Sequence, residues 1–271
     1  MEIKRDSYLQ QLISYRFDGL VKVITGIRRC GKSYLLKKIY RDYLIKNGVR
    51  EEQIIIIELD LAKDIKFRNP LVLSSFVREK VEGKGEEYYL FIDEIQMSDE
   101  VTNPYNAAGK KITFYDALND LRSLTNLDVY VTGSNSKMLS SDILTEFRGR
   151  SDEIHVHPLS FAEYYSAVGG DKNEAFDDYA FYGGMPLILS RPDDGAKMNY
   201  LKSLFSEVYI KDIVERKNIE RQDVLEQLID LLCSSIGSLT NPTKIADTLR
   251  SKQTAGVSSN TVRAYIGHLE D

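Results

Sequence analysis

Gly26-Ile27-Arg28-Arg29-Cys30-Gly31-Lys32-Ser33 follows the apolar run Leu20-Val21-Lys22-Val23-Ile24-Thr25 and precedes a helical pattern containing Tyr34, Leu35, Leu36 and Ile39. The octapeptide reads GxxxxGKS. Strand, glycine loop, helix is the context in which that pattern forms a phosphate-binding loop rather than a flexible turn. Glycines let backbone N–H groups converge on phosphate oxygens, and the following helix adds its unpaired N–H groups and the positive end of its dipole. On this reading Gly26, Ile27, Arg28, Arg29, Cys30, Gly31, Lys32, Ser33 and Tyr34 surround a nucleoside triphosphate. Lys32 reaches its β- and γ-phosphates, and the Ser33 hydroxyl ligates Mg²⁺.

A second motif narrows the chemistry. Tyr88-Tyr89-Leu90-Phe91-Ile92-Asp93-Glu94 is an apolar run closing on two carboxylates. It reads as a buried parallel strand whose C-terminal end opens on the ligand crevice. Asp93 suits the carboxylate that accompanies Mg²⁺ beside a phosphate loop, and Glu94 is placed to orient and deprotonate an attacking water. A kinase for a small molecule has no need of the second carboxylate, and the guanine-reading NKxD pattern is missing from the sequence. Water is the expected acceptor and ATP the expected nucleotide.

Leu127-Asp128-Val129-Tyr130-Val131-Thr132-Gly133 reads as a further strand, followed by Ser134 and Asn135. Two readings stand for that pair: sensing the γ-phosphate or positioning the water, or capping the helix that follows. Arg148 and Arg150, in Glu146-Phe147-Arg148-Gly149-Arg150, sit between a helical and a strand-like stretch. They are expected to contact the γ-phosphate of their own subunit or of a neighbour, the alternative being solvated or salt-bridged arginines. His155 and His157 share one face of a strand without a carboxylate or cysteine at metal-site spacing, and read as structural.

Five strands are expected at 20–25, 54–60, 88–94, 127–133 and 152–158, alternating with helices near 32–47, 70–82, 113–125 and 137–147. That is repeated βαβ, hence an α/β fold with a doubly wound, parallel, five-stranded sheet. Residues 98–112 read as an inserted polar loop, and the chain turns helical from Ser160, with Gly183-Gly184-Met185-Pro186 marking a break. The expected organisation is a P-loop ATPase domain over 1–170, a helical lid or linker over 171–240, and a partial winged helix-turn-helix over 241–271. Between Lys244 and His268, Lys244, Arg250, Lys252 and Arg263 stand against Asp247 alone, a local charge of +3 in a chain of net charge −5. Such a helix pair fits a DNA major groove, and equally a protein-binding module or an ATPase lid.

The composition of the 271 residues, 42% hydrophobic and 28% charged, supports a sizeable core. No apolar run is long enough to span a membrane, and the polar N-terminus lacks a signal-peptide core. A cytoplasmic protein is expected. Cys30 and Cys233 offer neither a disulfide framework nor a metal-binding spacing.

GIRRCGKSYLL, LFIDEIQ, DALNDLR, VTGSNSKMLSS, FRGR with PLSFAEYY, and YGGMPLIL together resemble a prokaryotic AAA+-like family of ATP-binding proteins. The resemblance runs from about residue 3 to 271. It implies an ATPase domain, a winged-helix segment and a C-terminal domain likened to restriction endonucleases, the last expected to be absent here. It also implies adenine nucleotide at Gly26–Ser33, Mg²⁺ near Ser33 and Asp93, Glu94 as base, and Arg5 and Tyr8 near the adenine. The expected function is Mg²⁺-dependent ATP hydrolysis driving conformational change on a DNA or protein partner. The alternatives are a slow nucleotide switch and a DNA-binding regulator with little hydrolysis. An oligomer is compatible with either.

Overall fold

Side chains alternate across a strand, so a strand covered on both faces must be apolar at successive positions. In β1 (Val21–Thr25), Val21 and Val23 enter one core and Ile24 another. The same division recurs in β2 (Ile54–Glu58) and β3 (Tyr88–Asp93), where Leu90 and Ile92 face one way and Tyr89 and Phe91 the other. The computed structural model describes residues 3–104, 109, 111–133, 149–251 and 256–270, and the backbone alone at Arg216. Within them lie β4 (Val101–Thr102), β5 (Lys111–Ile112), β6 (Leu127–Thr132) and β7 (Ser151–His155). The main sheet has the order β2-β3-β6-β1-β7 with all neighbours parallel. This is the five-stranded parallel sheet that the βαβ alternation predicts.

Helices Pro70–Val81 and Phe114–Leu121 cover one face, through Leu73, Val77, Val81, Phe114, Leu118 and Leu121. The other face packs Leu12 of helix Asp6–Ser14 and Leu35, Leu36, Tyr40 and Leu44 of a helical run over 32–46. The start of Pro70–Val81 is locally encoded: the Asn69 side chain accepts from the Leu71 amide at 3.0 Å, and Pro70 occupies the first turn, where no donor is needed. The polar stretch 98–112 holds two short strands among its described residues. β4 and β5 pair antiparallel in it, Val101 opposite Ile112 and Thr102 opposite Lys111.

At the N-terminal edge of the sheet a lysine is fully buried. Lys22 Nζ lies 2.7 Å from Asp128 Oδ1 and 2.6 Å from Asp18 Oδ1, and donates at 3.0 Å to the Leu20 carbonyl. Asp128 is closed off by the Tyr130 hydroxyl at 2.7 Å and the Phe17 amide at 3.2 Å. Every charge taken out of water here has its partners, which is the condition for tolerating a buried pair.

The chain divides into two compact units, Met1–Pro192 and Asp193–Asp271. The second is helical throughout its described residues. Val224, Leu225 and Leu228 of helix Gln222–Ser234 form its core with Ala246 and Leu249 of Pro242–Ser251 and Val262 and Tyr265 of Ser259–Glu270. No helix among the described residues is long and apolar enough to cross a membrane.

Replacing Lys22 with alanine strands the buried Asp128 carboxylate, and is expected to cost about 3–5 kcal/mol of stability. Denaturant unfolding measures it; a loss below about 1 kcal/mol, the value of an exposed pair, contradicts the network.

Candidate functional site

The loop between β1 and the helical run 32–46 depends on two glycines. Gly26 has φ +135°, and a Cβ there would stand 2.2 Å from the Val156 carbonyl oxygen. Gly31 has φ +106°, and only Pro186 and Arg5 atoms lie within 4 Å of its would-be Cβ. Gly26 thus lets the loop pass directly against the Val156 carbonyl, and at Gly31 it is the positive φ rather than lack of space that disfavours a side chain. Lys32 is buried, and its ammonium turns back over the loop to the Gly26 and Ile27 carbonyls at 2.8 and 3.0 Å. Cys30 is buried behind the loop, and burial pushes its thiol up, away from a reactive thiolate.

One residue beyond Lys32, the Ser33 hydroxyl donates at 2.9 Å to Asp93 Oδ1, which also accepts from the Thr132 hydroxyl. Asp93 Oδ2 accepts from Lys37 at 2.8 Å. Lys37 also donates to Glu58, the residue paired with Asp93 across the β2–β3 ladder, and Lys63 reaches the second Glu58 oxygen at 2.8 Å. Burial works against charge on Lys37, but donation to Asp93 and Glu58 outweighs it and holds the ammonium above its ordinary pKa. Burial likewise tends to raise Glu58, and the two lysines bring it below the usual carboxylate range. Neither Lys37 nor Glu58 stands out in the sequence. The available signals were the spacing of Lys37, one turn after Ser33, and an acidic residue closing β2 as Asp93 closes β3.

Glu94 follows Asp93 in a left-handed conformation, φ 56° and ψ 53°. Its amide donates to Thr132 Oγ1 at 3.2 Å, and its carboxylate accepts from the Gln96 side-chain amide. Glu94, Arg29, Gly31, Lys32, Ser33 and Tyr34 line a cavity of about 560 Å³. The remainder of its wall is mostly apolar: Ile3, Leu159, Pro186, Leu187 and Leu189. The Gly183-Gly184-Met185-Pro186 break thus builds part of the site. The Leu159 amide donates to the Gly184 carbonyl at 2.7 Å, and a Cβ on Gly184 would meet the Leu159 oxygen at 2.1 Å.

Arg5 also lines this cavity and is tied down on three sides, to the His157 carbonyl at 2.7 Å, the Cys30 carbonyl at 3.3 Å and Glu163 Oε1 at 3.0 Å. Tyr8 stacks against the Arg5 guanidinium at 4.6 Å and lines a separate groove with Lys4, His157 and Pro158. The residues present fit a magnesium nucleotide: a loop turned by two glycines at positive φ, a lysine over the loop, and a hydroxyl–carboxylate oxygen set suited to a hard cation.

Arg150 is not brought to this cavity. Its carbonyl accepts from the Val21 amide at 3.1 Å, level with the start of β1, and its guanidinium donates to Asn119 at 3.4 Å. The phosphate loop leaves the other end of β1, five residues away, or about 16 Å at strand rise. Of the readings open for Arg150, contact with the γ-phosphate of its own subunit is the one this placement does not favour. Ser134, Asn135 and Arg148 lie outside the described residues. His155 accepts or donates at 3.0 Å to Thr25, and burial, reinforced by His157, lowers its pKa.

The family model described as "AAA domain" matches residues 18–165, and one described as "Domain of unknown function (DUF8612)" matches 173–271. An uncharacterized protein of Haemophilus influenzae is 33% identical over 274 aligned positions, covering 99% of this chain and 64% of the relative. One from Methanocaldococcus jannaschii is 27% identical, covering 93% of this chain and 54% of the relative, so the chain spans less than two thirds of either. Among solved structures, the Walker-type ATPase paby2304 of Pyrococcus abyssi superposes with a TM-score of 0.63 at 16% identity, covering 99% of this chain and 89% of that one. At that identity the likeness concerns the fold. The chain belongs to the AAA domain family of P-loop ATP-binding proteins.

Gly26→Ala is expected to weaken nucleotide binding about tenfold or more, a change worth at least ~1.4 kcal/mol. Gly267→Ala, where the added Cβ meets nothing within 4 Å, serves as the neutral control. Equilibrium titration with ATP separates the two, and equal affinities contradict the close approach assigned to Gly26.

Proposed function

We propose that this chain binds ATP with Mg²⁺ at Gly26–Tyr34 and hydrolyses it, with Glu94 as general base. The observation that carries the reading is that Lys32, Ser33 and Glu94 line one cavity beside Asp93, and that Ile3, Leu159, Pro186, Leu187 and Leu189 give it an apolar wall. The apolar wall accepts the base, Lys32 the phosphate charge, and Ser33 with Asp93 the cation. Bound Mg²⁺ would supply charge neutralisation on the phosphates. Glu94 takes a proton from water as the water oxygen bonds to the γ-phosphorus. The bond from that phosphorus to the β-bridging oxygen breaks, and its electrons leave with ADP. Arg150, at the far end of its own sheet, can serve such a site only on a neighbouring copy.

The second unit supplies the arm that acts on a partner. In Ser259–Glu270, Val262 and Tyr265 face the core while Asn260, Arg263 and Ala264 are exposed. The Ser258 hydroxyl accepts from the Thr261 amide at 3.1 Å and fixes the helix start. Arg250 is occupied by Asp247 at 2.5 Å, and Lys252 lies outside the described residues. Lys244 is exposed on Pro242–Ser251, and within Ser259–Glu270 a DNA contact rests on Arg263. ATP turnover would move this cytoplasmic protein's helical part on DNA, or on a protein if Arg263 proves irrelevant.

Lys32→Ala is expected to abolish ATP binding. Glu94→Gln should retain it while kcat falls by about 10²–10⁴-fold, the contribution typical of a positioned base. Unchanged turnover in Glu94→Gln rejects the base assignment. Tight binding with negligible wild-type turnover under all conditions, DNA included, favours the slow switch. For DNA, Arg263→Ala is expected to reduce duplex affinity and lower the salt slope by about one; an unaltered slope removes this helix as the reader.

A further inference from the structure

Thr132, the last residue of β6, is buried, and its backbone is fixed from both sides. Val131 pairs with Ile92 of β3, and Thr132 itself lies opposite Ile24 of β1. Just beyond it, the Gly133 amide donates to the Ile24 carbonyl at 3.3 Å. A β-branched side chain on such a backbone has little choice of rotamer, so its hydroxyl is a fixed point in the sheet. That hydroxyl meets two successive residues at the end of β3. The Glu94 amide donates to Thr132 Oγ1 at 3.2 Å, and Thr132 Oγ1 donates to Asp93 Oδ1.

The direction of each bond follows from which groups can donate. A backbone amide only donates, so the Thr132 hydroxyl accepts from Glu94 and has its single proton left for the Asp93 carboxylate, which only accepts. The Ser33 hydroxyl gives its single proton to the same oxygen at 2.9 Å, which leaves its lone pairs for a cation. Lys37 holds the other Asp93 oxygen at 2.8 Å, but it does so from a flexible stem and is shared with Glu58. Thr132 is therefore the rigid partner that keeps Oδ1 turned to Ser33. Its second bond secures the amide of Glu94, a residue at φ 56°, and such a conformation persists only where the surroundings over-determine it. A valine at 132 would fill the same buried space, as Val129 and Val131 do in this strand, and would supply neither bond.

Resting on the hydrolytic reading of the site, we propose that Thr132 is a positioning residue whose one hydroxyl sets both the Asp93 carboxylate beside Ser33 and the backbone that carries Glu94. Its effect falls on turnover and on the part of nucleotide affinity that depends on the cation. The contacts of phosphate with the loop itself do not involve it.

The test compares wild type, Thr132→Val, Thr132→Ser, Thr132→Ala and Glu94→Gln. Steady-state ATP hydrolysis gives kcat. Equilibrium binding of the slowly hydrolysed analogue AMP-PNP, with Mg²⁺ and with EDTA, gives the gain in affinity that the cation brings. Thr132→Val is expected to lower kcat about 10- to 100-fold, the cost of misplaced catalytic groups, and to cut the Mg²⁺ gain at least about threefold. Its affinity in EDTA should match wild type. Thr132→Ser keeps the hydroxyl and should bring both quantities to within about threefold of wild type. Thr132→Ala differs from it by that one oxygen and should not, so this second pair carries the comparison if valine is not tolerated. The proposal is overturned if the variants without a hydroxyl keep the wild-type Mg²⁺ gain, or if serine does no better than they do, the outcome of a merely structural role. It is also overturned if they keep kcat within about twofold of wild type while Glu94→Gln is inactive. Full activity in Glu94→Gln would instead sink the base assignment, and the Mg²⁺ gain would then decide the hold of Thr132 on Asp93 alone.

Discussion

Three donors from two elements converge on the Asp93 carboxylate. Ser33 and Lys37 donate to its two oxygens from the helical run after the phosphate loop, and Thr132 donates from the neighbouring strand β6. Lys37 carries the connection on to Glu58 at the end of β2. Four consecutive pieces of the nucleotide face, β2, β3, β6 and the loop–helix unit, are thereby fixed to one charged group. Charge-assisted hydrogen bonds of this kind are short and directional, and in a partly buried setting they are costly to leave half-made. The site is consequently organised before any ligand arrives. Lys37 lets Glu58 and Asp93, carboxylates on adjacent strands, stand side by side without unrelieved repulsion.

The opposite end of the sheet solves a related problem with different residues. Lys22, Asp18, Asp128 and Tyr130 close a buried charge network where β1 and β6 begin. With charged clusters at both ends and apolar layers on both faces, strand register has little freedom. A slip of one residue would carry Lys22 into the layer that holds Val21 and Val23. That rigidity suits the strained positions near the ligand face, Gly26, Gly31 and Glu94, which need a frame that does not relax.

The sheet was legible because its strands are covered on both faces and so read as continuous apolar runs, such as Ile54-Ile55-Ile56-Ile57. Lys32, Ser33, Asp93 and Glu94 were legible because their spacing is tied to a strand–loop–helix path. Lys37, Glu58 and Pro186 were not, since their roles come from strand order and from segments remote in sequence. Lys37 meets Glu58 because β2 lies beside β3, which no periodicity reports. The sequence left the setting of Arg150 open for another reason. A residue that precedes a parallel strand lies at the end opposite a loop that follows one, so the β1–β7 pairing alone separates Arg150 from its own phosphate loop.

The central claim is that water, activated at Glu94, attacks the γ-phosphorus of ATP held by the phosphate loop. Hydrolysis in ¹⁸O-labelled water with mass analysis of both products tests it most directly. The account predicts that the label enters inorganic phosphate and is absent from ADP. Label in the ADP β-phosphate, or ATP bound but never hydrolysed even with DNA present, would contradict it.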